Sequence, residues 1–110
     1  MALSGLHVAW GYAGGDGYNS AKQAIFIDGQ RSETLASAGS TTQGAQGGGH
    51  RRPMARVRAS ADSWVAFGKS PDASQAVGST PDTTRFYVPA DGDDHDFYVN
   101  AGDKIAWVAA

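Results

Sequence analysis

The chain has 110 residues, a formal charge of -2 and no cysteine. That length is one domain, 1–110; the charge excludes a strongly basic nucleic-acid binder, and the missing thiols exclude disulfides, thiolate chemistry and cysteine-ligated zinc. Leu, Ile, Val and Phe make only 17 residues, so the core is thin, and small domains of this kind gain stability from partners.

The N-terminal stretch MALSGLHVAWGYAGG has no cationic n-region and no sustained apolar run, so it does not read as a secretory signal. No segment reaches the roughly 18 apolar residues of a membrane helix. Residues 1–20 read as an arm and loop. Within them Leu6 to Tyr12 forms a first strand or an extended arm, with Leu6, Val8 and Trp10 on one face. Gly11 to Ser20 is a glycine-rich loop. It lacks the Gly-Lys-Ser/Thr ending of a phosphate-binding loop, and no helix follows to aim amides at a phosphate. Lys22 to Asp28 reads as a strand, and Asp28-Gly29 as a turn pair. Arg31 to Ala38 fits a helical turn or a polar strand, and its context favours strand. Gly39 to Gly49 is Gly, Ser, Thr and Gln with almost nothing to bury. It is expected to be a long mobile loop or tether, continuing as a Gly-rich region through residue 53. His50, Arg51 and Arg52 follow, and Pro53 disfavours helix at Arg52.

Most large side chains lie beyond this point, in five short runs separated by turns. In ARVRASA, Ala55, Val57 and Ala59 alternate with Arg56 and Arg58, the period-2 pattern of a half-buried strand with a cationic outer face. In SWVAFG, Val65 and Phe67 share one face and Trp64 and Ala66 the other, which implies cover on both sides, by the core and by a loop or neighbouring chain. Lys69 to Asp82 is a loop punctuated by Pro71, Gly78 and Pro81, with room for a short edge strand. RFYV sets Phe86 and Val88 against Tyr87. DFYVN sets Phe97 and Val99 against Tyr98. KIAWV places Ile105 and Trp107 on one face. Strands at roughly ten-residue spacing, broken by Gly, Pro and Asp, predict an all-β domain: an antiparallel β-sandwich or jelly roll.

Few residues offer chemistry. Asp91, Asp93, Asp94 and Asp96 crowd around His95 and supply the oxygen ligands Ca²⁺ prefers, but the spacing is not that of an EF-hand. A solvated hairpin turn, with Asp side chains bonding nearby amides, fits better. His7, His50 and His95 are too far apart for a metal pattern, and no Gly-x-Ser-x-Gly elbow surrounds a serine. No catalytic residue, cofactor or metal is expected. The most polarised patch is His50, Arg51, Arg52, Arg56 and Arg58. No aromatic residues interleave it to stack on bases. It reads as a solvated strand face, or as an interface meeting the acidic turn Asp91 to Asp96 of a neighbouring subunit or another acidic protein surface.

The closing half carries a family likeness. A strand with Val57-Arg58-Ala59 leads to Trp64-Val65-Ala66-Phe67-Gly68. Ser70-Pro71, an Ala/Gly-rich loop and Phe86-Tyr87-Val88-Pro89 follow. The chain closes on Gly102-Asp103-Lys104-Ile105-Ala106-Trp107-Val108-Ala109-Ala110. Residues 55–110 resemble the small β-sandwich virion proteins of tailed bacteriophages, which close on a similar strand. The resemblance implies a structural protein of the particle, made in the bacterial host cytoplasm, with no catalytic residues. One placement is a capsid decoration or cement protein on the outer head surface, with the major capsid protein and copies of itself as partners. The other is a tail, head-fibre or tail-fibre component; length favours the first, since no repeat region is present to build a fibre. Nucleic acid and membrane are not expected partners. Leu6, Val8, Trp10 and Tyr12 of the arm and Arg51, Arg52, Arg56 and Arg58 are the expected inter-subunit contacts. On that reading, removing residues 2–12 weakens particle binding and spares the sandwich. A carbohydrate-binding module is the alternative from another class, with Trp10, Tyr12, Trp64, Tyr87, Tyr98 and Trp107 as its platform; aromatics on alternating faces are more often core than platform.

Overall fold

The structure is a computed structural model that describes residues 3–13, 26–49, 51–76, 78, 80 and 84–110. Among the described residues eight strands follow one another: β1 Leu6–Ala13, β2 Phe26–Leu35, β3 Gly39–Ser40, β4 Pro53–Ala59, β5 Ser63–Gly68, β6 Arg85–Val88, β7 His95–Tyr98 and β8 Lys104–Ala109. They form two four-stranded sheets, ordered β2-β1-β4-β7 and β3-β8-β5-β6, and every pairing is antiparallel. Among the described residues no helix is long and apolar enough to cross a membrane.

One core lies between the sheets, in a β-sandwich-like arrangement. Leu6, Val8, Trp10, Ala55, Val57 and Ala59 face it from the first sheet, and Val65, Val88, Ile105 and Trp107 from the second. These are the alternate positions of each strand, as a period of two requires. The five C-terminal runs become β4 to β8. The outer face of β5 is also covered, and from within the chain: Ala66 and Ala106 pack against Ala73 of the following loop.

Residues Leu6 to Ala13 take the first of the two expected forms, a strand, and not that of an extended arm. β1 is hydrogen-bonded on both sides, to β2 and to β4, and Leu6, Val8 and Trp10 are buried to within 1%. An alternating apolar heptapeptide reads identically as a strand seeking another subunit and as a strand seeking its own core. Here the chain's own two neighbours supply the ladder. Removing residues 2–12 would therefore remove a central strand, and the expectation that the sandwich survives that deletion is overturned.

Asp28-Gly29 is not a hairpin turn either. β2 runs through it, and the register steps from Trp10 opposite Arg31 to Tyr12 opposite Ile27, so extra residues of β2 face Gly11 alone. Asp28 takes φ 51° at this bulge, a left-handed conformation that Asp tolerates better than most residues. The bulge lets the Phe26 ring lie over β1: a Cβ at Gly11 would stand 2.6 Å from Phe26 Cζ and 2.8 Å from the Ile27 carbonyl oxygen. The parts of the expected Gly11–Ser20 loop and Lys22–Asp28 strand at 14–25 lie outside the described residues.

The Gly39 to Gly49 segment is pinned. It opens as β3 against β8, and then straps across the flank where β2 and β3 are the sheet edges. Thr41 and Ala45 are buried. Thr41 N donates to Ile105 O, Ala45 N to Asp103 O and Gly102 N to Ala45 O at 2.7–2.9 Å. The Thr41 hydroxyl accepts from Ile105 N and donates to Gln43 O. Glu33 of β2 caps the strap from the other sheet, accepting from Thr42 N at 3.0 Å and Gln43 N at 3.1 Å. A glycine-rich composition permits mobility, but here it supplies unhindered backbone that bonds both sheets. Downstream, no strand forms among the described residues between Lys69 and Thr84.

Candidate functional site

The cationic strand and the acidic turn meet inside one molecule. Because Ala55, Val57 and Ala59 face the core, Arg56 and Arg58 face outward from β4. β7 pairs with β4 so that Asp96 stands opposite Arg56. The pair is bidentate, Nε to Oδ1 at 2.8 Å and Nη2 to Oδ2 at 3.0 Å. Arg58 Nε donates to Asp94 at 3.1 Å, and Asp94 also lies 4.0 Å from Arg56. The hydrogen bond to Asp96 raises the Arg56 pKa. The complementarity expected between subunits is thus satisfied in cis. Arg51 is likewise engaged, with Asp28 at 2.7 Å and its guanidinium 3.9 Å above the Tyr12 ring. Arg52 lies 5.3 Å from the Tyr98 ring centre. His50 lies outside the described residues. These arginines line the outer surface, each with a carboxylate or ring of its own chain beside it.

Leu6, Val8, Trp10 and Tyr12 belong to the interior. They are 0–5% exposed, and the Tyr12 hydroxyl donates to Gly47 O at 3.2 Å. No neighbouring subunit reaches these side chains without opening the sheet.

In the acidic turn, Asp91 accepts from Asp93 N at 3.0 Å and contacts His95 Nε2 at 3.2 Å. The first contact, then the second, lowers its pKa. Among the described residues no group of three or more His, Asp or Glu is arranged to hold a metal ion.

The opposite flank, where β6 and β7 are the outermost strands, carries Tyr87 and Tyr98 of the expected sugar platform and the end of the acidic turn, but its aromatic residues were not expected to be an inter-subunit contact. Among the described residues the large exposed hydrophobic side chains, Phe86 at 43%, Tyr87 at 50% and Tyr98 at 64%, lie on these two strands. Phe86 closes the mouth of the sandwich: its ring centre lies 5.7 Å from Phe67 and 5.6 Å from Phe97, which are themselves 4.9 Å apart. Tyr87 sits edge-on to Trp64 at 5.5 Å, and Arg85 lies 4.2 Å over the Trp64 ring. A cleft of about 640 Å³ beside this mouth is lined by Phe67, Phe86, Lys69, Asn100 and Asp103 among others. The six aromatics of a sugar platform are not gathered on one surface, since Trp10, Tyr12 and Trp107 are buried. The signal available in the sequence was that RFYV and DFYVN each place a Tyr opposite core residues; which strands end up at an edge is not written there.

Compared with known proteins, the chain matches no family model, no curated protein and no solved structure.

Proposed function

We propose that the protein is a structural component of a tailed-bacteriophage particle, a decoration or cement subunit that binds the outer head surface and acts by binding, without catalysis. The observation that carries the binding reading is the aromatic flank. Exposed Phe86, Tyr87 and Tyr98 lie on β6 and β7, the edge strands of the two sheets at this flank, with Phe86 at the mouth, Tyr87 on the outer face of one sheet and Tyr98 on that of the other, and exposed aromatic side chains at a sheet edge suit contact with another macromolecule. Tyr is well suited to such a contact, with an apolar ring and a polar tip. The resemblance of residues 55–110 to small β-sandwich virion proteins is what suggests the particle. Those residues hold most of β4 and all of β5 to β8, and so include both strands of the flank.

The arginines of β4 are engaged within the chain, and Leu6 to Tyr12 are interior. The reading therefore rests on the flank rather than on the arm and cationic strand. The major capsid protein and further copies of this chain are the proposed partners, and the head surface the proposed location. A tail or fibre component would use the same flank.

Co-sedimentation of the purified chain with expanded heads that lack it, followed by imaging, tests the placement. Saturable binding at regular lattice positions is expected. Recovery in tails or fibres moves the protein there, and absence from the particle removes the virion reading.

A further inference from the structure

We infer that β6 pairs with β6 of a second copy of this chain, antiparallel, about a two-fold axis through Tyr87. The two sheets that contain β6 would join into one sheet of eight strands. The inference deepens the reading above by saying how copies meet, but it rests on the edge itself.

β6 is hydrogen-bonded to β5 alone, and among the described residues no strand covers its other side. An unpaired edge is a template for another strand, and proteins usually blunt it. The remaining edges here are blunted. β3 is two residues long. β2 is bent by the bulge at Asp28 and joined to the strap through Glu33. β7 carries Asp96 and follows Asp94, so two copies of it side by side would gather like charges. β6 has no charge from Phe86 to Val88, and half of Tyr87 is exposed.

Residue alternation restricts the register to one parity. Val88 is fully buried and Phe86 packs on the core-side rings Phe67 and Phe97, whereas Tyr87 packs on Trp64 of the outer face. Opposed residues in an antiparallel pair point to the same face. Keeping both cores on one side of the joined sheet allows Phe86 against Val88 of the second copy and Tyr87 against its own counterpart, the register inferred here. A one-residue slip would set core positions against outer ones.

Charge fits the same arrangement. Arg85 stands at the start of β6. At its far end Asp62 accepts from Ala90 N at 2.9 Å, and that contact, then the Tyr87 hydroxyl, lowers the Asp62 pKa and so holds it ionised. In the chain's own register Arg85 lies opposite Ala66 and Val88 opposite Ser63, so Arg85 and Asp62 of one molecule lie at opposite ends of the strand. A two-fold axis brings each to the other's end in the partner, the self-complementary pattern of an isologous contact. A four-residue edge makes a small interface, of the weak and reversible class.

Sedimentation velocity of the full chain, from micromolar to millimolar, is expected to show a monomer–dimer equilibrium; a monomer throughout overturns the inference. The chain has no cysteine, so single-cysteine variants report geometry directly. Tyr87→Cys is expected to oxidise to a disulfide-linked dimer, because directly opposed positions bring Cβ atoms within about 5.5 Å. Tyr98→Cys on β7 is expected to stay monomeric under the same oxidation. Equal cross-linking at both positions, or at Tyr98 alone, overturns the register. Should Tyr87→Cys lose its native near-ultraviolet circular dichroism, a charge exchange decides. Arg85→Glu should weaken association at least about tenfold, and adding Asp62→Arg to it should restore it; no rescue overturns the pairing. A monomer that still saturates heads would sink the pairing alone, and a dimer that ignores heads would sink the particle reading alone.

Discussion

The two flanks of the sandwich are finished in opposite ways. Where β2 and β3 are the edges, the strap from Thr41 to Gly49 crosses between the sheets and backbone donors find acceptors: Ile105 O, Asp103 O and the Glu33 carboxylate. Where β6 and β7 are the edges, closure is by aromatic rings, and Phe86, Tyr87 and Tyr98 remain in water. Both flanks enclose the same core. The difference shows that an edge can be closed by polar bonding or left as contact surface, and that the choice lies in the side chains and loops at the edge.

Four measurements would break or sharpen this contrast. The largest effect is expected at the core the flanks enclose. Trp10→Ala should cost about 3–5 kcal/mol in chemical denaturation, because it empties a fully packed site, and a loss near zero would mean that β1 is peripheral after all. Next is the polar flank. Thr41→Val removes the hydroxyl that Ile105 N and Gln43 O use, leaving buried groups unpaired, and should cost about 1–3 kcal/mol. It should also raise hydrogen exchange across residues 41–45 without changing exchange in β6; uniform acceleration would deny the strap a local role.

Acid comes third. Asp62, Asp72 and Asp91 have lowered pKa values, caused first by the Ala90 amide, the Ser74 hydroxyl and the Asp93 amide respectively. A carboxylate with a lowered folded pKa contributes stability above its ordinary unfolded value, and that contribution is lost as pH falls through the folded value. The melting temperature should therefore be flat near neutrality and fall below the ordinary carboxylate range, and Asp91→Asn should shallow that fall. These groups are exposed, so the change is small; an unchanged slope would remove Asp91 from the account. Smallest of all is the aromatic flank. Tyr98→Ser should leave stability within about 0.5 kcal/mol, and yet reduce head binding in the sedimentation assay. Unaltered binding would place the contact away from β7.

Glycine marks where backbone closeness matters. Gly11 admits the Phe26 ring, and Gly102, at φ 86°, turns the chain so that Asp103 N reaches Asn100 O at 3.0 Å. The second turn was legible as Ala101-Gly102-Asp103, since the residues that need positive φ adjoin a strand pattern. The first was not, because only the bulge in a distant strand explains it.

Much of the fold was fixed by the order of residues. Alternation from Ala55 to Val108 determined the five C-terminal strands and the core positions Val57, Val65, Val88 and Ile105, because a strand has only two faces and one must leave water. Tertiary structure decided what alternation cannot encode: which strand lies beside which. β1 became central because β2 and β4 both pair with it, and Arg56 and Arg58 lost their outward role because β7 brings Asp94 and Asp96 to the same edge. The Gly-rich strap became ordered because its amides bond carbonyls some sixty residues away. Pairing across long separations depends on where the ends of loops are brought together, and the period of a single strand carries no record of it.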